Sequence, residues 1–440
     1  MNYSSIIISH NIKMNFTDES INHARKLDAR DELREFRDEF VIVDPDTIYL
    51  DGNSLGRLPS KTIEILKDAV ERQWGERLIR SWNEGWIEAS ARIGAKLANL
   101  VGAKPDEVII TDATSVNLFK LAGAALKDQK NRTKIISDEL NFPSDLYILQ
   151  GLIDLIGSGY TIEMVTSGDG IQINQETLAN EIDKNTALVV LTHTCFRSAF
   201  VHNMAFINQI AHRKGAYVLW DLSHSVGSVP VDLNGTEAEL AVGCTYKYLN
   251  GGPGSPAFLY VRKDLQKKLI QPLWGWLGSK DPFSFNLDFM PAENISRFQV
   301  GTPPIVSLLA IEPGLDLHLQ AGMDRLRKKS MMQTEYLLFL FNQWLLPLGF
   351  NLGSPRNPEI RGSHVSIRHP EAFRISKAMI EAKKPDIKVI PDFRIPDNLR
   401  LGIASIYTSF EDINRAMRRI KEIVERKTYE QYTGERMKVT

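Results

Sequence analysis

An α/β fold, a mixed and mostly parallel sheet with helices on both faces plus a smaller α+β domain, is predicted by three features of the 440-residue chain. Short apolar runs without polar–apolar alternation recur from about residue 105 to 265, the pattern of strands buried on both faces. Stretches of helical period separate them, as crossover connections between parallel strands require. After about residue 310 the order changes to a long helical segment, clustered strands and a last helix.

Taken in order, residues 18–40 carry charge with Leu and Phe at helical spacing, which predicts one amphipathic helix. "IYLDGNSLGRLPS" reads as a short strand and a turn, and the segment after it as a helix capped by Ser60. A helix over 90–102 precedes the strand "DEVIITD". "TSVNLFKLAGAAL", "LYILQGLIDLIG", "ETLANEID" and "MAFINQIAHRKG" then alternate as helices with the strands "TKIISDE", "TIEMVTS", "TALVVLTH" and "AYVLWDLSH". "AELAVGCTYK" and "PAFLYVRK" add two strands. One long helical segment is expected over 305–345, then "SHVSIRH", the strands of "DIKVIPDFRIPDNLRLGIAS", and the amphipathic helix "SFEDINRAMRRIKEIVERK". The expected division is 1–60 as a tail and helix packing with the small domain, 61–310 as the large domain, and 311–440 as the small one.

A net charge of −1 argues against nucleic acid or acidic membrane surfaces as partners, because both are held by clustered positive charge. No apolar run approaches the ~18 residues of a membrane span. "MNYSSIIISHNIKMNF" lacks the long apolar stretch of a secretory signal, so it reads as a tail with Met14 as an alternative start, and the chain as cytoplasmic. Two cysteines, Cys195 and Cys244, without CxxC spacing exclude a disulfide framework and a zinc knuckle, and no His/Cys spacing suggests a metal.

Open α/β sheets bind ligands beyond the carboxyl ends of their strands. Three expected strand ends carry polar groups that are costly to bury alone. Asp221 follows an apolar strand, with His224 three residues later; an isolated pair of this kind is more often a cap than a site. Lys247 stands between Tyr246 and Tyr248, at the end of the next strand and just before "LNGGPG"; a desolvated lysine loses charge and becomes a nucleophilic amine. Thr114 and Ser115 open a helix, where amide N–H groups and hydroxyls can hold an anion, although plain capping is the commoner use. Together an anion site, an acid on one strand end and a lysine on the next match the needs of pyridoxal phosphate. Phe142, in the loop "NFPSD", is placed to stack on its ring. Neither GxGxxG after the first strand nor GxxxxGK[ST] occurs, which disfavours dinucleotide and P-loop readings.

"LDGNSLG", "FPSD", "DLSHSVG", "YKYLNGGPG", "GWLG", "GTPP" and "LRLG…SIYTSFED" resemble, in order and spacing, the kynureninases, from about residue 30 to 425. The resemblance implies the fold of aspartate-aminotransferase-like (fold type I) pyridoxal-phosphate enzymes, with a seven-stranded sheet, and a homodimer with shared sites. It implies hydrolysis of L-kynurenine to anthranilate and L-alanine, a step of tryptophan catabolism and NAD biosynthesis. Lys247 would bond the cofactor and shuttle protons; Asp221 would meet the ring nitrogen and His224 the ring-oxygen side. Phe142 would stack, with Asp145 in the adjacent network and Thr192 as a small hydroxyl near the ring. Thr114, Ser115 and Tyr246 would bind phosphate, and Tyr246 would also aid proton transfer. Trp276 and Thr302 would reach into the neighbouring subunit's site. Arg400 would clamp the substrate carboxylate bidentately, which lysine does less well. Ser54 and Trp82 would line the aryl side.

Departures from the family pattern fall near the substrate. Phe196-Arg197-Ser198-Ala199 replaces Tyr-Arg-Thr-Gly, Ser405 replaces a proline, and "EASARIG" replaces a Leu-Pro form. Trp82 with Thr302 matches an aryl pocket favouring kynurenine over 3-hydroxykynurenine. A cysteine desulfurase would need a cysteine in the C-terminal third, and none follows Cys244. The remaining rivals are an aminotransferase, an enzyme for a related β-keto amino acid, and a cofactor-binding protein without catalysis.

Overall fold

The computed structural model describes residues 16–157 and 159–434; the expected N-terminal tail and Met14 lie outside them. The strands are β1 (Thr47–Tyr49), β2 (Val108–Ile110), β3 (Lys134–Asp138), β4 (Thr161–Val165), β5 (Thr186–Thr192), β6 (Tyr217–Asp221), β7 (Leu240–Gly243) and β8 (Phe258–Val261). They continue with β9 (Asn351–Leu352), β10 (His364–Arg368), β11 (Lys388–Ile390), β12 (Asp392–Arg394) and β13 (Asn398–Gly402). The helices begin with α1 (Ile21–Ala29), α2 (Ser60–Asp68), α3 (Trp86–Leu100), α4 (Thr114–Asp128), α5 (Pro143–Ile156) and α6 (Gln175–Glu181). They end with α7 (Met204–Lys214), α8 (Ile305–Leu309), α9 (Ile311–Ala321), α10 (Met323–Leu340), α11 (Ala372–Ile380) and α12 (Phe410–Glu425).

Seven strands form one sheet in the order β2-β8-β7-β6-β5-β3-β4. Only β8 runs against its neighbours, β7 and β2. Every residue of β5 and β6 is buried, so the sheet needs cover on both faces. Alternate side chains separate into two cores: Leu188, Val190 and Leu219 face α4 and α5, whereas Val189, Val218 and Trp220 face α3, α7, α8 and α9. A third core joins α1, α10, α11 and α12 to a four-stranded sheet, β12-β13-β10-β9. The short β1 pairs in parallel with β11, and its Ile48 and Leu50 enter that same core.

The sequence expectations differ from the structure at three helices. Residues 18–40 form α1 and a separate 3₁₀ turn, because Asp31 bonds Lys329 at 2.6 Å and accepts from the Leu33 amide, breaking the helical ladder. Ser60 is not a cap but the first residue of α2, with Pro59 before it, and the regular helix gives way to a wide turn after Asp68. The 305–345 segment is split, most sharply at Gly322, whose φ of +78° turns the chain from the large core toward the small one. The last helix starts as expected, with Ser409 and Asp412 forming a reciprocal capping box. Asp28 of α1 accepts from the Phe410 and Glu411 amides at the start of α12, at 2.7 and 2.9 Å.

No helix among the described residues is long and apolar enough to cross a membrane. Helix α9 packs against the loop after β7: a Cβ on Gly314 would stand 2.1 Å from the Leu249 carbonyl oxygen. Gly314→Ala is therefore expected to cost about 1–3 kcal/mol through overpacking, read as a lower midpoint in thermal unfolding. An unchanged midpoint would show slack at this contact.

Candidate active site

The adjacent parallel strands β5 and β6 end side by side, with Thr192 opposite Asp221. Strand β7 ends at Gly243, four residues before Lys247, so the lysine belongs to the following loop rather than to the strand end expected from sequence. That loop returns Lys247 to the sheet edge, where its Nζ lies 3.0 Å from His224 Nε2. The same amine sits 5.8 Å from the Phe142 ring centre and 5.9 Å from that of Tyr246. Phe142 caps α5, and Asp145 occupies the first turn of that helix. Ser115, in the first turn of α4, meets Ser144 of α5 at 3.0 Å, so two helix N-termini converge. Thr114 opens α4, preceded by Ala113, and neither it nor Ser115 acts as the N-cap.

The carboxyls and the imidazole at this edge are buried. Asp221 accepts from the Ser223 amide and hydroxyl at 2.9 and 2.6 Å. Burial raises its carboxyl above the usual range, against the pull of Ser223 and Lys247. Asp145 is 2% exposed, and its Oδ2 has no hydrogen-bond partner among the described residues. Burial raises this carboxyl well above its ordinary value, and the charge of Asp221 adds to the rise. Burial lowers His224 far below the ordinary imidazole range, and Lys247 and Arg400 add to the effect. A neutral His224 protonated at Nδ1 can accept from the lysine through Nε2. Two buried carboxylates near a single amine lack one positive partner, which a protonated ring nitrogen would supply. With an aromatic floor and two helix N-termini also present, the residues fit pyridoxal phosphate.

A second cluster hangs from the small sheet. Arg400 on β13 is 1% exposed and directly opposite Asp392 on β12. It donates through Nε to Asp392, through Nη1 to the Phe196 carbonyl, and through Nη2 to Ser54 Oγ at 3.2 Å. The "LDGNSLG" segment joins the two clusters. Asp51 bridges to Gly402 of β13, while the Gly56 amide donates to the Tyr246 carbonyl at 2.8 Å. A side chain at Gly56 would strike the Lys247 carbonyl at 2.3 Å, so glycine is needed there. Phe196 meets Phe142 edge-on at 5.2 Å, which ties its position to the Lys247 edge.

Thus Lys247, Tyr246, Phe142, Asp145, Asp221, His224 and Thr192 gather at one edge, with Ser54 and Arg400 facing them. Trp82 is not joined to Ser54 or Arg400 by any hydrogen bond or ring contact among the described residues; it packs edge-on to Trp86 at 5.8 Å. Trp276 and Thr302 lie at the surface of the chain, Trp276 against Phe283. Sequence reading did not single out four supporting residues. Asn141 accepts from the Thr192 hydroxyl, Ser223 holds Asp221, and Asp392 fixes Arg400. His364 lies fully buried 5.7 Å from the His224 ring. The pattern "DFRIPDNLR" was a signal for Asp392, since a hairpin there sets Asp392 opposite Arg400.

Over 93% of the chain and 97% of the relative, the sequence is 42% identical to a kynureninase of Pseudomonas fluorescens. It is 41% identical to one of Burkholderia mallei over 91% of the chain and 95% of that protein. Among solved structures, a cysteine desulfurase of Thermococcus onnurineus NA1 superposes with a TM-score of 0.76 at 20% identity, over 89% of this chain and 98% of that one. The enzyme C-DES, solved with glycine covalently linked to its pyridoxal-phosphate cofactor, gives 0.74 at 20% identity over 85% and 96%. At those identities the likeness shows the fold, that of fold type I pyridoxal-phosphate enzymes. The kynureninase C-terminal domain family matches residues 326–420. By its near full-length identity to curated relatives, the chain belongs to the kynureninase family.

Proposed function

We propose that this enzyme hydrolyses the Cβ–Cγ bond of L-kynurenine, giving anthranilate and L-alanine, with pyridoxal phosphate held at Lys247. The observation that carries the reading is the "LDGNSLG" bridge, whose Gly56 bonds the Tyr246–Lys247 loop and whose Ser54 accepts from Arg400, so one segment joins an amine-binding and a carboxylate-binding group. Neither cysteine supports a desulfurase, since Cys195 and Cys244 are both buried and none follows them.

In this reading Asp221 keeps the ring nitrogen protonated, Asp145 deepens the negative field around it, and Phe142 supplies the stacking face. Thr114, Ser115 and Tyr246 hold the phosphate; Thr192 orients the nearby loop through Asn141. When bound, pyridoxal phosphate supplies an electron sink for the pair left on Cβ as the Cβ–Cγ bond breaks. Lys247 carries the Cα proton, and His224 Nε2 accepts a hydrogen bond from its amine. Arg400, fixed by Asp392 and the Phe196 carbonyl, orients the substrate carboxylate. Water attacks the γ-carbonyl, whose aryl group lies toward Ser54 and Trp82. Kynurenine is preferred over 3-hydroxykynurenine, the latter serving as a second substrate.

The assembly is a homodimer in the cytoplasm, each subunit lending Trp276 and Thr302 to the other's site. The exposure of Trp276, Phe283, Phe285 and Leu287 supports a covered face there, and two unbridged cysteines suit a reducing compartment. Of the unit 1–60, the described residues Ala24, Ile48 and Leu50 join the small domain's core, with 61–310 as the large domain and 311–440 as the small one; α9 also packs on the large core and pairs Glu312 and Asp316 with Lys96. The pathway placement is tryptophan catabolism toward NAD biosynthesis.

Three outcomes are expected. Purified protein with cofactor should release aryl amine and alanine from kynurenine with higher kcat/KM than from 3-hydroxykynurenine; cofactor-loaded protein inactive on both would point to another β-keto amino acid. Arg400→Lys should lower kcat/KM by about 10–100-fold, the scale of one charge-assisted contact, mainly through KM and with an unchanged cofactor spectrum. An unaltered KM would remove Arg400 from the carboxylate site. Finally, Lys247→Ala and Trp276→Ala/Thr302→Ala subunits, each inactive alone, should regain activity when mixed and exchanged. Failure of the mixture, with heterodimers demonstrated, would refute the shared site.

A further inference from the structure

The turn between β2 and α4 is held from behind by a lysine that no part of the reaction uses. Lys120, two turns into α4, is 0% exposed. Its Nζ donates to Asp112 Oδ2 at 2.6 Å and to the Phe298 carbonyl at 2.7 Å. Asp112 sits in the left-handed region at φ +47°, and its Oδ2 also accepts from the Thr111 hydroxyl at 3.0 Å. One turn earlier on α4, Asn117 holds the Thr111 carbonyl at 2.7 Å. The segment after Phe298 carries Val300, whose carbonyl accepts from Leu277, and then Thr302. Lys120 therefore touches both the turn that starts α4 and the strip running to Trp276 and Thr302.

A carboxylate two residues before a phosphate-binding helix start is a repulsive neighbour unless a fixed cation offsets it. Asp112 keeps 27% of its side chain exposed, so water screens part of its charge, while Lys120, with no outlet to solvent, is the fixed cation that offsets the rest. Burial pulls the lysine down to about 8, against the opposing pull of Asp112.

We propose that Lys120 is a positioning residue for the phosphate end of the cofactor, neutralising Asp112 and tying the Thr114–Ser115 turn to the Phe298–Thr302 strip. The proposal rests on the phosphate reading of Thr114 and Ser115. It predicts an effect on the phosphate alone, which a purely structural lysine would not produce.

The test measures dissociation constants of pyridoxal phosphate and of pyridoxal, which lacks the phosphate, for the apoprotein of each variant. Lys120→Met should weaken pyridoxal phosphate by about ten-fold or more and leave pyridoxal within about two-fold, the scale of one charge contact. Asp112→Asn in the Lys120→Met background should restore most of the loss. Unchanged affinity, an equal loss for both ligands, or no rescue would each overturn the proposal. Should Lys120→Met fail to fold, Asp112→Asn alone decides. It keeps an oxygen for Lys120 and should bind pyridoxal phosphate at least as tightly as the parent, and weaker binding would overturn the proposal. Thr114→Ala/Ser115→Ala serves as the control. If it fails to separate the two ligands, the phosphate placement is wrong, a result distinct from failure of the Lys120 role.

Discussion

Two carboxylates, Asp221 and Asp145, are removed from water together at the carboxyl edge of the parallel sheet, and the rest of the site answers that electrostatic demand. Neither is paired with an arginine. Ser223 satisfies one Asp221 oxygen and Lys247 contributes its field, yet burial still holds both carboxyls above their ordinary range. Such an arrangement is costly in an empty core. A protonated pyridine nitrogen held near the two acids would offset that cost. His224 is kept neutral by the same burial, so it can accept from the lysine without adding a third positive charge.

In the proposed reading the sheet edge holds the cofactor, and the small sheet adds the carboxylate-binding group. Arg400 reaches across from β13, and every nitrogen of its guanidinium already has a partner, so its plane is set before substrate arrives. The connection is short. Within six residues, Asp51 is fixed to β13 and Gly56 to the Tyr246 carbonyl, so one short segment is bonded to both the small sheet and the Lys247 loop. Side chains are excluded at Gly56 because a Cβ there would strike the Lys247 carbonyl and Asn250.

Groups that stand at strand ends were legible in the sequence, because an apolar strand followed by an unpaired polar residue is a local pattern. Asp221 and the Thr114–Ser115 turn fall in this class, whereas Thr192 came only from the family resemblance, and Lys247 lies four residues beyond the end of β7. Groups whose partners lie far away in the chain were not legible. Lys120 reads as one polar residue in an apolar helix; its partners at Asp112 and Phe298 emerge only when α4 is laid on the sheet. The split of the 305–345 helix at Gly322 follows from two cores competing for one amphipathic segment, which periodicity alone does not register. Trp82 and Trp276 pack on aromatic neighbours of their own, Trp86 and Phe283, and no local sequence pattern ties them to the Lys247 edge.

The most direct measurement is borohydride reduction of the cofactor-loaded protein followed by peptide mapping. A reduced pyridoxyl group on Lys247, with loss of the visible absorbance band, is the expected result. Label on another lysine, or a band that survives reduction and the Lys247→Ala substitution, would contradict the site.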